Sequence, residues 1–247
     1  MILFRSILFT LCYYIFSLII FIIMLPTFLM PRKWAMIMPL VWTSGGIKLL
    51  KWICHVQVRI EGKENLPKTN GYIVASKHES AMETSMFHSF VPDVFYIFKK
   101  ELLWILFPSL YGIKTGCIPI DRKGGGVALR KMLKASIKRF KNGQNMVIFP
   151  EGTRMPPDQE NTKPYSPGIA LIYESCKVPV VPVALNTGYV WPKNSFMRYP
   201  GTVTLRILKP IEPGLPKREF LKTLQERIES EQKLLPHPNS LKGQTCN

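Results

Sequence analysis

Two apolar stretches open the chain, and short apolar runs separated by amphipathic segments follow them. From Ser6 to Pro31 there is no charged residue, and Ile, Leu and Phe dominate; Arg5 precedes the run and Arg32-Lys33 closes it. About 20 such residues let a helix cross a bilayer core. The second stretch, Trp34 to Ile47, is also uncharged but is interrupted by Pro39 and by Gly45-Gly46. Its length is marginal for a span. Two helices joined near Pro31-Arg32-Lys33 either cross the bilayer or form a hairpin sunk into one leaflet. A secretory signal would show a shorter apolar region and a small-residue cleavage pattern. This run passes Met24 into Pro26 without one, so it is read as a retained segment.

After Trp52 the pattern changes. Val56 to Ile60 alternates, Tyr72 to Ala75 is a short apolar run after Asn70-Gly71, and Val94–Phe98, Met146–Phe149 and Pro179–Leu185 repeat that signature. These predict short, mostly buried strands. Thr202 to Leu208 alternates and predicts an outer strand. Leu129, Met132, Leu133, Ile137 and Phe140 form a helical apolar stripe, with Arg130, Lys131, Lys134, Lys138 and Arg139 opposite. Phe220 to Leu235 predicts another amphipathic helix, and the tail from Pro236 is expected to be loose. Strands alternating with helices predict an α/β fold, a mixed sheet covered by helices, preceded by an apolar N-terminal helical membrane-anchoring motif.

Charge narrows the partners. The 247 residues carry 33 Lys+Arg against 16 Asp+Glu, a net +17, which points to a polyanion: nucleic acid, an anionic membrane or a phosphorylated substrate. Residues 1 to 60 contain six Lys/Arg and no acid. A basic collar beside apolar helices suits an anionic cytoplasmic leaflet, so membrane lipids are the first partner. Scattered Lys/Arg without a recognition motif argue against nucleic acid. The five cysteines, Cys12, Cys54, Cys117, Cys176 and Cys246, include no C-x-x-C pair and have no zinc-ligand spacing. They are read as free thiols in a reducing compartment, and no metal is expected.

Three motifs carry the chemistry. Ser76-Lys77-His78-Glu79-Ser80-Ala81-Met82-Glu83 follows a strand, and a His with a carboxylate five residues on suits a general base with its orienting acid. Within one regular helix His78 and Glu83 would lie about 140° apart, out of contact. If Ser80 caps a helix, Glu83 is its capping-box partner and His78 lies outside, free to fold back. Glu83 is thus either the partner of His78 or a cap. Gly116 to Arg122, followed by Lys123 and three glycines, suits an Arg contact to phosphate through Arg122. Phe149-Pro150-Glu151-Gly152-Thr153-Arg154 ends a strand with a turn, a hydroxyl and an Arg, which together make a compact anion site.

These motifs occur in order with a Val178-to-Val183 run, V-P-V-V-P-V, and in this the chain resembles the glycerolipid acyltransferases, most closely the bacterial enzymes that act on 1-acyl-sn-glycerol 3-phosphate. The resemblance covers roughly residues 55 to 210. Glu83 stands where the family commonly has Asp, and Pro119 where Phe is common; Lys163 to Gly168 matches more loosely. The resemblance implies a membrane-embedded helical motif over 1–54 and a catalytic domain over 55–247. It implies acyl transfer from a thioester (acyl-CoA or acyl-carrier protein, with no other cofactor) to the sn-2 hydroxyl of lysophosphatidic acid, giving phosphatidic acid. His78 would take the hydroxyl proton with Glu83 behind it, and Arg122 and Arg154 would hold the phosphate, helped by Lys99 or Lys100. Gly152 and Thr153 would line the substrate, and Glu151 would orient a substrate hydroxyl. The expected place is the inner membrane, with the catalytic domain on its cytoplasmic face. Two other readings are an acyltransferase for another lysolipid, such as lyso-ornithine lipid, and a non-enzymatic membrane-anchored lipid-binding protein.

Overall fold

The computed structural model describes residues 1–104, 106–121, 123–158 and 164–240. The chain runs α1 (Ile2–Met24), α2 (Arg32–Ala35), α3 (Ile37–Cys54), β1 (Val56–Glu61), β2 (Ile73–Ser76), α4 (Met82–Met86), β3 (Val94–Lys99), α5 (Leu106–Thr115) and β4 (Ile118–Ile120). It continues with α6 (Gly125–Lys141), β5 (Asn145–Ile148), α7 (Pro167–Cys176), β6 (Val180–Leu185), β7 (Gly201–Ile207) and α8 (Lys217–Leu234). One seven-stranded sheet has the order β1-β7-β6-β2-β5-β3-β4. Among the strand pairs of the described residues only β6–β7 is antiparallel, so the sheet is mixed as expected.

Side-chain alternation divides the core between the two faces. Tyr72 and Val74 point into a cluster with Phe9 of α1, Leu50 and Cys54 of α3, and Met82 and Met86 of α4. Ile73 and Ala75 point the other way, toward Met132 of α6, Ile169 and Tyr173 of α7, and Phe220 and Leu224 of α8. The period of two along each strand places α1, α3 and α4 on one face and α6, α7 and α8 on the other.

Three expectations change. β7, expected at the edge, lies between β1 and β6, and Val203, Leu205 and Ile207 face the core. Its alternation reflects Thr202 and Thr204, which are buried too, so polarity along the strand did not report exposure. The tail from Pro236 is docked as far as Pro238: Pro236 O accepts from Asn186 Nδ2 at 2.8 Å and Pro238 O from Thr202 N at 3.0 Å. Arg32, expected beside the membrane, forms a two-pronged ion pair with Asp93 and also donates to Thr115 O.

α1 and α3 pack antiparallel, with Trp42 Nε1 donating to Ser17 Oγ at 2.8 Å. The glycines that interrupt the second apolar stretch lie within α3, where the hairpin closes. A Cβ on Gly45 would stand 2.1 Å from the Phe16 ring, and one on Gly46 3.0 Å from Tyr13. Close helix approach thus offsets the low helix propensity of glycine. Residues Ile2–Phe28 are long and apolar enough to cross a membrane, and Phe4, Leu11, Leu18 and Ile22 are exposed on the outer side. Both ends of this segment are tied to the sheet domain. Arg198 N donates to Ser6 Oγ at 2.9 Å, and Thr27 Oγ1 meets Tyr111 OH at 3.1 Å. Because Phe9 and Leu50 belong to the main core, deleting residues 1–53 is expected to uncover it as well as to remove an anchor. Thermal unfolding should show a large fall in Tm, or aggregation; a truncated chain melting like the intact protein would show that the hairpin contributes nothing to the core.

Candidate active site

The described residues of the three motifs lie along one side of the sheet, at the C-terminal ends of the parallel strands β2, β5, β3 and β4, where open α/β sheets place ligands. β2 ends at Ser76, and the chain leaves it through Lys77 and His78 before α4 begins. The backbone of His78 is held on both sides: its N–H donates to Glu151 Oε2 and its carbonyl accepts from Met155 N, each at 2.7 Å. The imidazole stacks on Phe149, 4.1 Å between centroids at 20°, and keeps 18% of its side-chain surface exposed.

His78 Nδ1 lies 2.8 Å from Glu83 Oε1. An ionised carboxylate only accepts, so Nδ1 carries a proton, and in the neutral form of the ring Nε2 then holds the lone pair. Glu83 is fully buried. Oε1 also accepts from Glu79 N at 3.0 Å and Ser80 N at 2.8 Å, and Oε2 from Thr187 Oγ1 at 2.7 Å. In return Ser80 Oγ accepts from Met82 N at 3.0 Å. Glu83 Oε1 thus serves two groups: it accepts from Ser80 N just ahead of α4, whose N-cap position is Ala81 and not the expected Ser80, and it holds His78, which lies before the helix and folds back onto it.

Phe149 to Arg154 follows β5. Gly152, at φ +68, turns the chain, with its N–H on Phe149 O at 3.0 Å, in a conformation glycine adopts without steric cost. Thr153 is exposed and Arg154 half-buried, with Lys193 Nζ on the Arg154 carbonyl at 2.8 Å. Glu151 departs from expectation. Its carboxylate points inward, meeting Lys77 Nζ at 2.9 Å and His78 N instead of facing a substrate hydroxyl. It supports the histidine from behind.

Lys77 is 3% exposed and also binds both oxygens of Glu229 on α8, at 2.8 and 3.0 Å; Tyr165 OH donates to the same carboxylate at 3.1 Å. Burial disfavours the ammonium, but Glu151 and Glu229 outweigh it and raise the Lys77 pKa. Burial raises the Glu151 pKa, with Lys77 opposing. Glu79, fully buried, is pushed well above the usual carboxylate range by burial; its oxygens accept from Gly188 N at 2.8 Å and Gln232 Nε2 at 2.7 Å. α8 thus reaches the back of the site through Glu229 and Gln232. Sequence reasoning missed Lys77, Thr187, Glu229 and Gln232. Only Lys77 had a signal, a charge wedged between a buried strand and a candidate base.

Lys99 and Lys100 are exposed at the end of β3, and Lys100 Nζ is 3.9 Å from Asp121 Oδ2. A groove of about 470 Å³ beside them is lined by Lys100, Leu103, Pro119, Ile120, Val127 and Lys131. Arg122, the other expected phosphate contact, lies outside the described residues. Cys117 is a buried thiol, accepting from Tyr96 N at 3.4 Å.

A histidine with Nδ1 held by a buried carboxylate, at the strand ends of a mixed α/β sheet, is an arrangement suited to proton transfer. The family model described as Acyltransferase matches residues 57–186, and the chain belongs to the acyltransferase family. A 1-acyl-sn-glycerol-3-phosphate acyltransferase of Pseudomonas aeruginosa is 32% identical over 166 residues, 67% of this chain and 63% of the relative. One of Bacillus subtilis is 29% identical over 177 residues, 69% of this chain and 84% of the relative. The chain thus matches a little under two thirds of the length of the Pseudomonas relative. The crystal structure of the 1-acyl-sn-glycerophosphate (LPA) acyltransferase from Thermotoga maritima superposes with a TM-score of 0.76 at 26% identity, covering 99% of this chain and 100% of that one.

Proposed function

We propose that this protein transfers an acyl chain from an acyl thioester to the sn-2 hydroxyl of lysophosphatidic acid, forming phosphatidic acid. The observation that carries the reading is the His78–Glu83 pair, with Nε2 left to accept a proton one strand away from the Gly152–Arg154 turn. The names of the relatives support the same acceptor.

Nε2 of His78 takes the hydroxyl proton as the acceptor oxygen attacks the thioester carbonyl. Glu83 holds the ring in the right tautomer and stabilises the imidazolium. Collapse of the tetrahedral intermediate breaks the C–S bond, and the departing thiolate takes the proton from His78. Arg154, together with Arg122 and Lys99 or Lys100, holds the phosphate, while Gly152 and Thr153 let it approach the turn. Glu151 is a positioning residue that fixes the His78 backbone. The hairpin of α1 and α3 seats the protein on one leaflet of the inner membrane from the cytoplasmic side; support comes from the attachment of both ends of the Ile2–Phe28 segment to the sheet domain. Substrate and product then enter and leave without crossing water.

The test is to supply membranes containing the protein with labelled acyl donor and a panel of lysolipids. Lysophosphatidic acid should be the acceptor that gains a chain; acylation of a phosphate-free lysolipid in its place would reassign the enzyme. Arg154→Ala should raise the KM for lysophosphatidic acid about 10- to 100-fold, the equivalent of one charge-assisted hydrogen bond of about 1.5–3 kcal/mol. An unchanged acceptor KM would move the phosphate site elsewhere.

A further inference from the structure

α6 carries Arg130, Lys131, Lys134, Lys138, Arg139 and Lys141 and no acid. Arg130, Lys134, Lys138 and Lys141 follow at spacings of four, four and three, which puts them on one face, and all four are exposed. Among the described residues no carboxylate forms an ion pair with them. On α8, by contrast, Lys222 has Glu226 as its i,i+4 partner. Like charges at that spacing repel, so α6 holds a repulsion that an acidic surface would relieve.

Position selects the surface. The exposed apolar residues of α1 belong to the opposite face of the sheet, so a bilayer seated on them has the whole sheet between it and α6. The stripe extends about 17 Å along the helix and faces water. That length suits a macromolecular surface better than a nucleotide. Its N-terminal end opens on the groove at the ends of β3 and β4, where Val127 and Lys131 meet Lys100 and Pro119. Three strand spacings, about 14 Å, separate β4 from the strand that carries His78.

We infer that the exposed face of α6 docks an acidic carrier protein, which delivers the acyl thioester through this groove; the inference rests on the acyl-transfer reading above. The acyl carbon leaves the carrier sulfur for the acceptor oxygen, and the carrier thiolate takes the proton that His78 removed, so the reaction is balanced without a redox partner.

The test compares the full-length wild type with Arg130→Glu/Lys134→Glu/Lys138→Glu, using palmitoyl carrier protein and palmitoyl-CoA as alternative donors to lysophosphatidic acid. The KM for the carrier should rise at least about ten-fold, while kcat and the KM for palmitoyl-CoA change less than about two-fold. Raising salt from about 0.05 to about 0.5 M should weaken the wild type toward the carrier alone. Equal losses with both donors, no loss with either, or loss of anionic-vesicle binding with an unchanged carrier KM would overturn the inference. So would a wild type that uses acyl-CoA but neither binds nor uses the carrier. Binding of immobilised carrier protein to the solubilised full chain separates the two claims. Selective loss of that binding in the variant, with lysophosphatidic acid acylated from neither donor, would retain the docking face and discard the proposed acceptor.

Discussion

Glu83→Gln is expected to lower kcat by roughly 10²- to 10⁴-fold in a protein that still folds, the usual span of a general-base contribution. Gln can still accept from Glu79 N and Ser80 N, and the Thr187 hydroxyl can turn to accept from the new amide. What it cannot supply is a negative charge beside the imidazolium that forms when His78 takes the proton. Glu83→Ala is a different experiment. It strips partners from His78 Nδ1, two backbone N–H groups and the Thr187 hydroxyl, all of which bind the carboxylate that is removed. Each orphaned buried donor costs about 1–3 kcal/mol, so Ala should destabilise the fold as well as stop turnover. Thermal melts beside steady-state kinetics separate the two variants. Near-wild-type kcat in Glu83→Gln would leave the residue with a capping role only.

The largest stability effect is expected at Lys77. Its ammonium is the centre of a buried group with Glu151 and Glu229, and Lys77→Met removes the one ion-pair partner that Glu151 has among the described residues. Breaking a buried pair by removing one partner costs about 3–5 kcal/mol, a large part of a typical domain's stability of about 5–15 kcal/mol. The loss should depend on pH with a definite sign. Burial already raises the folded-state pKa of Glu151, and loss of the cation raises it further. Between the ordinary carboxylate pKa and that raised value, the folded form binds more protons than the unfolded one. Stability of the variant therefore falls as pH rises through this window and recovers toward acid. Denaturant midpoints at mildly acidic and mildly alkaline pH would show it, and adding Glu151→Gln and Glu229→Gln should recover part of the loss. A Lys77→Met midpoint equal to wild type at every pH would mean that the buried charges are compensated by groups other than Lys77.

The sequence by itself determined much of this protein. The buried strands, the amphipathic α6 and α8 and the apolar α1 were legible because periods of 2 and 3.6 are local properties of the chain. His78, Glu83 and the Phe149–Arg154 turn were legible because each motif is contiguous and ends a strand. The helices α5 and α7 were not read, α4 was read only as the helix that Ser80 would cap, and β4, three residues broken by Pro119, was not read. Tertiary structure alone decided what depends on distant segments meeting. β7 became a central strand because β1 pairs with its far side, a choice no alternation pattern encodes. Glu151 turned inward because Lys77, 74 positions away in the chain, offered a buried countercharge. Thr187 and Glu229 reached the site because α8 and the segment after β6 fold over its back, 104 and 152 residues from their partners Glu83 and Lys77. A buried charge needs a partner wherever the fold can bring one, and that partner is set by packing and not by position along the chain.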